Sequence, residues 1–424
     1  LGRCGGTVSL ASGATQSGFG RTGTVDWVTT PVTSTPTTGV SGKGYFINST
    51  GAEKTINLPA SPSAGDIMAV SDYAGTSVTY KIIVGRNGSN INGAAADLEI
   101  QQASAAATLV YVDGTQGWKL VETGSTTDVE LTPAYVAATS PCVATVGDWK
   151  IHTFTGPGTF EVTCGGNSQG SDTVDYYVVA GGGGGGGDDG GGGGAGGFRE
   201  SVPSCTAWTA SPIANPGNAR PVTATPYAIV IGGGGPGGPC GIGTAGDVSS
   251  FSDITSAGGG AGLRAGPGAP ALGDGGSGGG GDAPCRSGGS GNEPPVSPAQ
   301  GNNGGTGGTG NAGAGGGGAA AVGGNGAGSA PTSTGGNGGA GATSEFNNSP
   351  VIRAGGGGGG AYGTGGTGGP GGGGTGGEES NPNGNGTAGT VNTGGGGGGG
   401  ATNPGPRFGA QGGSGIVILR YKFQ

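Results

Sequence analysis

The chain has 424 residues, of which only 31% are hydrophobic, 10% are charged and 117 are glycine. Ordinary proteins hold about 7% glycine, so a uniformly globular domain around one large apolar core is excluded. The formal net charge of -9 is thinly spread, with no basic stripe to hold nucleic acid and no apolar run near the ~18–20 residues of a membrane span. The first residue is Leu1, which leaves room for an upstream portion.

In chain order, residues 1–44 are rich in Gly, Thr and Ser and read as a stalk or connector. Residues 45–125 carry the signals of a small β module: "YFINST", "KTINLP", "DIMAVSDY", "TYKIIVGRNG" and "TLVYVDGTQGWKLVE" are short branched or aromatic runs between turn residues. Alternation in "TYKIIVG" and "GWKLVE" predicts sheets with one buried face, with Tyr111 and Trp118 in the core. Residues 126–148 read as a Pro- and Thr-containing linker. Over 149–180, "DWKIHTFTGPGTFEVTC" reads as a hairpin turning at "GPG", and "TVDYYVVA" runs straight into seven glycines. Residues 181–424 repeat that join of strand to glycine tract in "PYAIVIGGGG" and "SPVIRAGGGGGG", and end on the strand "GSGIVILRYKF".

A flexible spacer would match the composition, but a spacer has no reason to be stitched repeatedly to core strands. The exceptions within the tracts also recur every third residue: Thr364, Thr367 and Pro370; Thr306, Thr309 and Ala312; Pro236 and Pro239; Asn337 and Ala340; Asp274 and Ser277. A polyproline II helix has three residues per turn, so each set forms one edge, leaving two bare glycine faces. Collagen has the opposite grammar, one glycine in three. Without Cβ atoms the backbones can approach and bond between helices, giving a polyglycine II lattice. The unbroken tracts 181–187, 355–360 and 394–400 belong inside it, and proline, lacking an N–H, belongs at its edge. The predicted fold class is all-β: small sandwich-like modules, then a polyglycine II helix lattice capped by short strands.

Chemistry finds little footing. GxGxxG matches recur without a strand–turn–helix context, and His152, the only histidine, lies on a predicted strand. Cys4, Cys142, Cys164, Cys205, Cys240 and Cys285 form no CxxC pair, which argues against zinc, while their even number permits disulfides. Asp188 and Asp189, like Glu378 and Glu379, read as solvated loops between glycine helices; calcium ligation by the two aspartates is the alternative. No catalytic residue, cofactor or metal site is expected. The loops at 198–226, 282–300, 343–350, 378–393 and 401–408 must emerge at rod ends, where residues are free to vary and carry function. Phe198 and Phe251 are expected to seal the sheet end. Trp208, Phe346 and Phe408, with Glu378 and Glu379, are the candidates for display to a partner.

"GYFINSTGAEKTINLPASPSAGDIMAVSDYAG", "IIVGRNGSNING" and "YVDGTQGWKLVE" resemble a module of phage tail fibres, particularly those of marine and cyanobacterial hosts. "DWKIHTFTGPGTFEVTC", "VDYYVVAGGGGGGG", "SSFSDITSAGGG" and "GGSGIVILRY" resemble the glycine-rich domain that often ends such fibres. The glycine-rich part is also similar in architecture, not in matched residues, to the distal adhesins of T-even-type phages. The resemblance implies a receptor-binding fibre of the virion tail, often a homotrimer. Its implied partners are a host surface glycan or outer-membrane protein and other tail proteins. A structural filament subunit is the rival expectation, and a glycan depolymerase the enzymatic one.

Overall fold

A computed structural model describes residues 25–424 apart from 124–128, 204–207, 240, 265–269, 380–383 and 403–406. The chain divides into two units, one of residues 1–134 with 167–169 and one of residues 135–166 with 170–424. The described parts are sheet, turn and extended chain, with a single short 3-10 turn at Pro270–Gly273.

The first unit holds two five-stranded sheets around one core. One sheet runs Asp26–Val32, Lys43–Ile47, Ile67–Asp72, Ala106–Asp113, Gly117–Thr123; the other runs Val129–Leu131, Leu98–Ile100, Ile82–Gly85, Lys54–Asn57, Thr37–Thr38. Ile47, Ile56, Met68, Val84, Leu109 and Trp118 are fully buried between them, and Tyr111 packs edge-on to Trp118 at 5.7 Å. The expected boundaries move at both ends. Residues 26–44 are not stalk, because Asp26–Val32 pairs in parallel with Lys43–Ile47 and its apolar residues Val28 and Val32 pack on this core. Nor is 126–148 a linker throughout: Val129–Leu131 extends the second sheet, whereas Val136–Thr139 and Val143–Val146 belong to the second unit.

The second unit begins as two sheets sharing a core of Phe160, Tyr176, Phe251, Val417 and Leu419. Trp149–Phe154 and Gly158–Gly165 do not form the expected hairpin. The former pairs with Val143–Val146 and the C-terminal strand Ile416–Lys422, the latter with Val136–Thr139 and Pro226–Val230. The "GPG" turn therefore carries the chain from one sheet to the other, where Phe154 and Phe160 face one core. Ile416–Lys422 is central, between Trp149–Phe154 and Thr173–Val179. Strands and glycine tracts thus fold as one unit, and the expected domain break at residue 181 is absent.

From these sheets the glycine tracts rise as a lattice. Along 181–187 the partners of the backbone N–H groups repeat every third residue. Gly181, Gly184 and Gly187 donate to Asp247, Thr244 and Gly241; Gly182 and Gly185 to Gly413 and Ala410; Gly183 and Gly186 to Gly194 and Gly191, all at 2.8–3.0 Å. Falling partner numbers mean three antiparallel neighbours. The carbonyls accept from three parallel ones: Gly182 and Gly185 from Gly235 and Gly238, Gly181 and Gly184 from Gly259 and Gly262, Gly183 and Gly186 from Gly397 and Gly400. A helix with three residues per turn and no internal bonds, surrounded by six bonded neighbours, is polyglycine II packing. Segments 355–360 and 394–400 are also bonded to neighbours on all sides, with four of the six around 355–360 antiparallel, and all three tracts are buried.

The threefold edge is equally regular along 364–370. Thr364, Thr367 and Pro370 are exposed, while Gly366 and Gly369 are buried and donate to Gly359 and Gly356. Gly233, Pro236 and Pro239 repeat the pattern. Two expected edges fail: Ala312 and Ser277 are fully buried. Ala312 sits where the chain turns, and Ser277 belongs to an interior helix, its N–H on Ala195 and its carbonyl on Gly260. A single small side chain is thus tolerated inside.

Two variants measure the edge rule. A Cβ on Gly366 would lie 2.0 Å from the carbonyl oxygen of Gly336, so Gly366→Val should lower unfolding stability by about 3 kcal/mol or more. Thr367→Val, on the exposed edge, should stay within about 0.5 kcal/mol. Equal unfolding temperatures would contradict the packing.

Two buried titratable groups oppose each other in the sheets. Burial pushes the Asp175 carboxyl up to about 6, outweighing its bond from Ser201 and the nearby Arg420. The folded state then holds a proton that the unfolded state has lost, so this contribution is complete below pH ~4 and disappears as pH rises through 6. Burial, aided by the Lys150 charge, holds His152 down to about 4, so its contribution is present above pH ~6.5 and disappears as pH falls through 4. Relative to the wild type across pH 4–6.5, Asp175→Asn should gain stability with rising pH and His152→Gln should lose it. Each change should be on the order of 3 kcal/mol over the window, read by chemical denaturation at stepped pH.

Candidate functional site

Pairing sorts the turns of the lattice into two ends. Helix 181–187 leaves the strand Thr173–Val179, turns at Asp188 and Asp189, and returns as 190–197 into Phe198–Val202, with Gly186 bonded to Gly191 near the turn. One end is therefore the sheet and the other is free. Neighbours in register with this hairpin place Pro239, Arg264, Asp282, Thr309, Asn311 and Tyr362 at the free end, and likewise Glu378, Glu379, Thr402, Arg407 and Phe408.

The free end is polar and internally tied. Asp188 and Asp189 occupy the left-handed region, at φ 63° and 54°, which aspartate tolerates better than most residues. Asp188 is ion-paired with Arg264, and Asp189 accepts from the backbone N–H of Thr402 at 3.0 Å and from its hydroxyl. Burial still raises the Asp189 carboxyl above its ordinary range. Arg286 lies 3.2 Å from Asp282. Asp188, Asp189, Arg264, Asp282 and Thr402 surround a cleft of about 320 Å³ that Thr309 and Asn311 also line. Among the described residues no group of three or more His, Cys, Asp or Glu side chains is placed to hold a metal ion. A hydrogen bond to Glu379 raises the Tyr362 hydroxyl, and Phe408 lies across from Pro239 with 45% of its surface exposed.

The five display candidates separate. Phe408, Glu378 and Glu379 are at the free end, Phe408 exposed and the two glutamates half-buried. Trp208 and Phe346 are at the sheet end and buried, 8% and 1% exposed, so the fold does not display them. They pack edge-on at 5.1 Å, and Trp208 meets Trp149 at 6.0 Å. The reason is a buried cation. The Arg420 guanidinium lies 4.5 Å from the Trp208 ring centre and 4.8 Å from that of Trp149, and donates to the carbonyl of Phe346 at 3.0 Å. Glu200 completes the cluster, accepting from Trp208 Nε1 at 3.2 Å, Ser344 Oγ at 2.7 Å and the N–H of Ser211 at 3.1 Å. Sequence reasoning passed over Asp175, Glu200 and Arg420; the available signal was a charge inside each of three otherwise strand-like runs, "VDYYVV", "FRESV" and "IVILRYK".

Phe198 and Phe251 close the sheet end as expected, both buried. Cys142, Cys164 and Cys285 are free and exposed, and Cys4, Cys205 and Cys240 lie outside the described residues. No described helix is long and apolar enough to cross a membrane.

Fold and site together define an all-β domain that carries a glycine lattice with one free, polar end. The model of a family described as a glycine-rich domain matches residues 154–422, and the chain belongs to that family. No curated protein matches the chain.

The separation of the aromatics is measurable. Trp208→Ala or Phe346→Ala should cost about 3–5 kcal/mol, as expected for a large buried ring, whereas Phe408→Ala should stay within about 0.5 kcal/mol. Denaturant unfolding of the three variants decides it; a cost for Phe408→Ala equal to the others would place that ring in the core.

Proposed function

We propose that this chain is the receptor-binding part of a phage tail fibre, attaching a virion to its host cell through the turns at the free end of the lattice. The observation that carries the reading is that the lattice leaves no room for side chains on its packed glycines, whereas the turns at its free end carry them. Every bare tract must stay bare, while residues such as Tyr362, Glu379 and Phe408 sit in turns held in fixed relative positions by bonded rods. That is an arrangement suited to recognition: side chains presented on a rigid frame. The role is binding rather than catalysis. The partner is a host surface glycan or outer-membrane protein, and assembly is as a homotrimer joined to other tail proteins. The resemblance of the β module and the glycine tracts to tail fibres supports the same assignment.

Purified protein, added to a panel of candidate host cells, should bind one or more strains and block adsorption of the corresponding phage. The triple variant Glu378→Gln, Glu379→Gln, Phe408→Ala should lose most of that binding, while Thr367→Val on the lattice flank should keep it. Absence of both cell binding and adsorption block across the panel would exclude the adhesin role and favour the filament subunit.

A further inference from the structure

A second cleft, of about 280 Å³, lies at the sheet end of the second unit. Its cation is Arg199, on the strand Phe198–Val202. Phe198 and Glu200 are both buried, and Arg199 between them is only half-buried, so its side chain leaves toward the cleft. Among the described residues its hydrogen bonding is limited to one weak contact, 3.5 Å from Nη1 to the carbonyl of Thr255, and no carboxylate lies within ion-pair distance. Asp253 lines the same cleft but is engaged by Arg220 at 3.0 Å.

The facing wall is apolar and fixed. Pro294 and Val296 stand on a loop pinned by Asn292, whose Oδ1 accepts from the N–H groups of Val296 and Gln300, both at 3.1 Å. The Gln300 side chain in turn bonds the N–H of Ala257 and the carbonyl of Pro294, both at 2.9 Å. Val248, 47% exposed, also lines the cleft. A guanidinium held by one weak contact, beside a preformed apolar wall, suits a planar acid group that it can hold with two parallel bonds.

We infer that this cleft binds a small monocarboxylate, its acid group on Arg199 and its apolar flank against Pro294, Val296 and Val248. One guanidinium balances one negative charge, so a monocarboxylate is matched whereas a dianion such as phosphate keeps an uncompensated charge. Two sources present this chemistry: a free organic acid and an acidic sugar, whose ring has an apolar face. The site lies at the sheet end and does not depend on the receptor role of the free-end turns.

Calorimetric titration of the full chain with hexanoate, galacturonate, hexanol and inorganic phosphate tests it. Saturable binding of at least one carboxylate is expected, weakened about tenfold or more by Arg199→Gln and less by Arg199→Lys, with an unchanged unfolding temperature. Hexanol should not bind, and phosphate should bind more weakly than the carboxylate. Hexanoate binding alone points to an organic acid and galacturonate alone to an acidic sugar. Should Arg199→Gln fail to fold, Val296→Glu supplies a like charge on the loop wall and should weaken binding similarly. Failure of both carboxylates to saturate, equal affinity in the substituted chain, or phosphate binding as tightly as carboxylate would each overturn the inference.

Discussion

Everything above the sheets depends on one steric fact: two backbones can hydrogen-bond side by side in three directions only where no Cβ stands between them. Along 181–185 an added Cβ would fall 2.0–2.1 Å from a carbonyl oxygen at every position, each oxygen belonging to one of three neighbouring rods. Such an approach is closed to any other residue. The glycine content is therefore the packing itself, taking the place that apolar side chains hold in an ordinary core. It also explains how a chain with 31% hydrophobic residues can bury so much of its length.

That packing is not self-sufficient. Ordering a backbone residue costs about 1–2 kcal/mol, most for glycine, and one net hydrogen bond returns about 0.5–1.5 kcal/mol. A lone tract gains nothing. The sheets change the balance by fixing where each rod begins. Residue 180 follows Thr173–Val179, residue 197 precedes Phe198–Val202, and residue 415 precedes Ile416–Lys422, and those three strands are bonded to one another. Rods that start in register need little further ordering to meet their partners, so each rod placed lowers the cost of the next. The aromatic and ionic cluster of Arg420, Trp149, Trp208 and Glu200 stands beneath this junction, holding the 342–353 hairpin to the strands from which the rods rise.

Much of this was legible in the sequence because polyglycine II packing has a period and states it openly. Bare tracts had to lie inside, and side chains three apart had to lie on an edge; 181–187 and Thr364, Thr367 and Pro370 obey. The failures share a different cause, tertiary pairing that no local pattern reports. "GPG" looks like a hairpin turn whether the strands on either side pair with each other or with different sheets. Trp208 and Phe346 stand in polar, glycine-poor stretches that resemble display loops, and only the buried Arg420, some seventy residues or more away in sequence, tells why the rings turn inward. Loops at the two ends of a rod look alike in composition. What separates them is the direction of the chain, which only the pairing between rods reveals: 257–264 and 274–281 follow one another in sequence yet both run toward the free end.

The same geometry dictates how such a lattice must stop. An outermost rod still turns one row of backbone outward, where no further glycine rod can satisfy it. Several edge rods meet this with a neighbour's side chain: Asn337 Oδ1 accepts the N–H of Thr367 at 2.9 Å, Asn325 that of Thr306 at 2.8 Å, Asn385 that of Phe408 at 2.9 Å. Elsewhere proline removes the donor yet keeps its acceptor, as where the carbonyls of Pro236 and Pro370 take the N–H groups of Thr244 and Gly341. Asparagine and proline at threefold spacing are thus the termination of the lattice, as glycine is its interior. Because side chains also block the approach of another bare rod, the edge that completes the hydrogen bonding is the edge that prevents further growth.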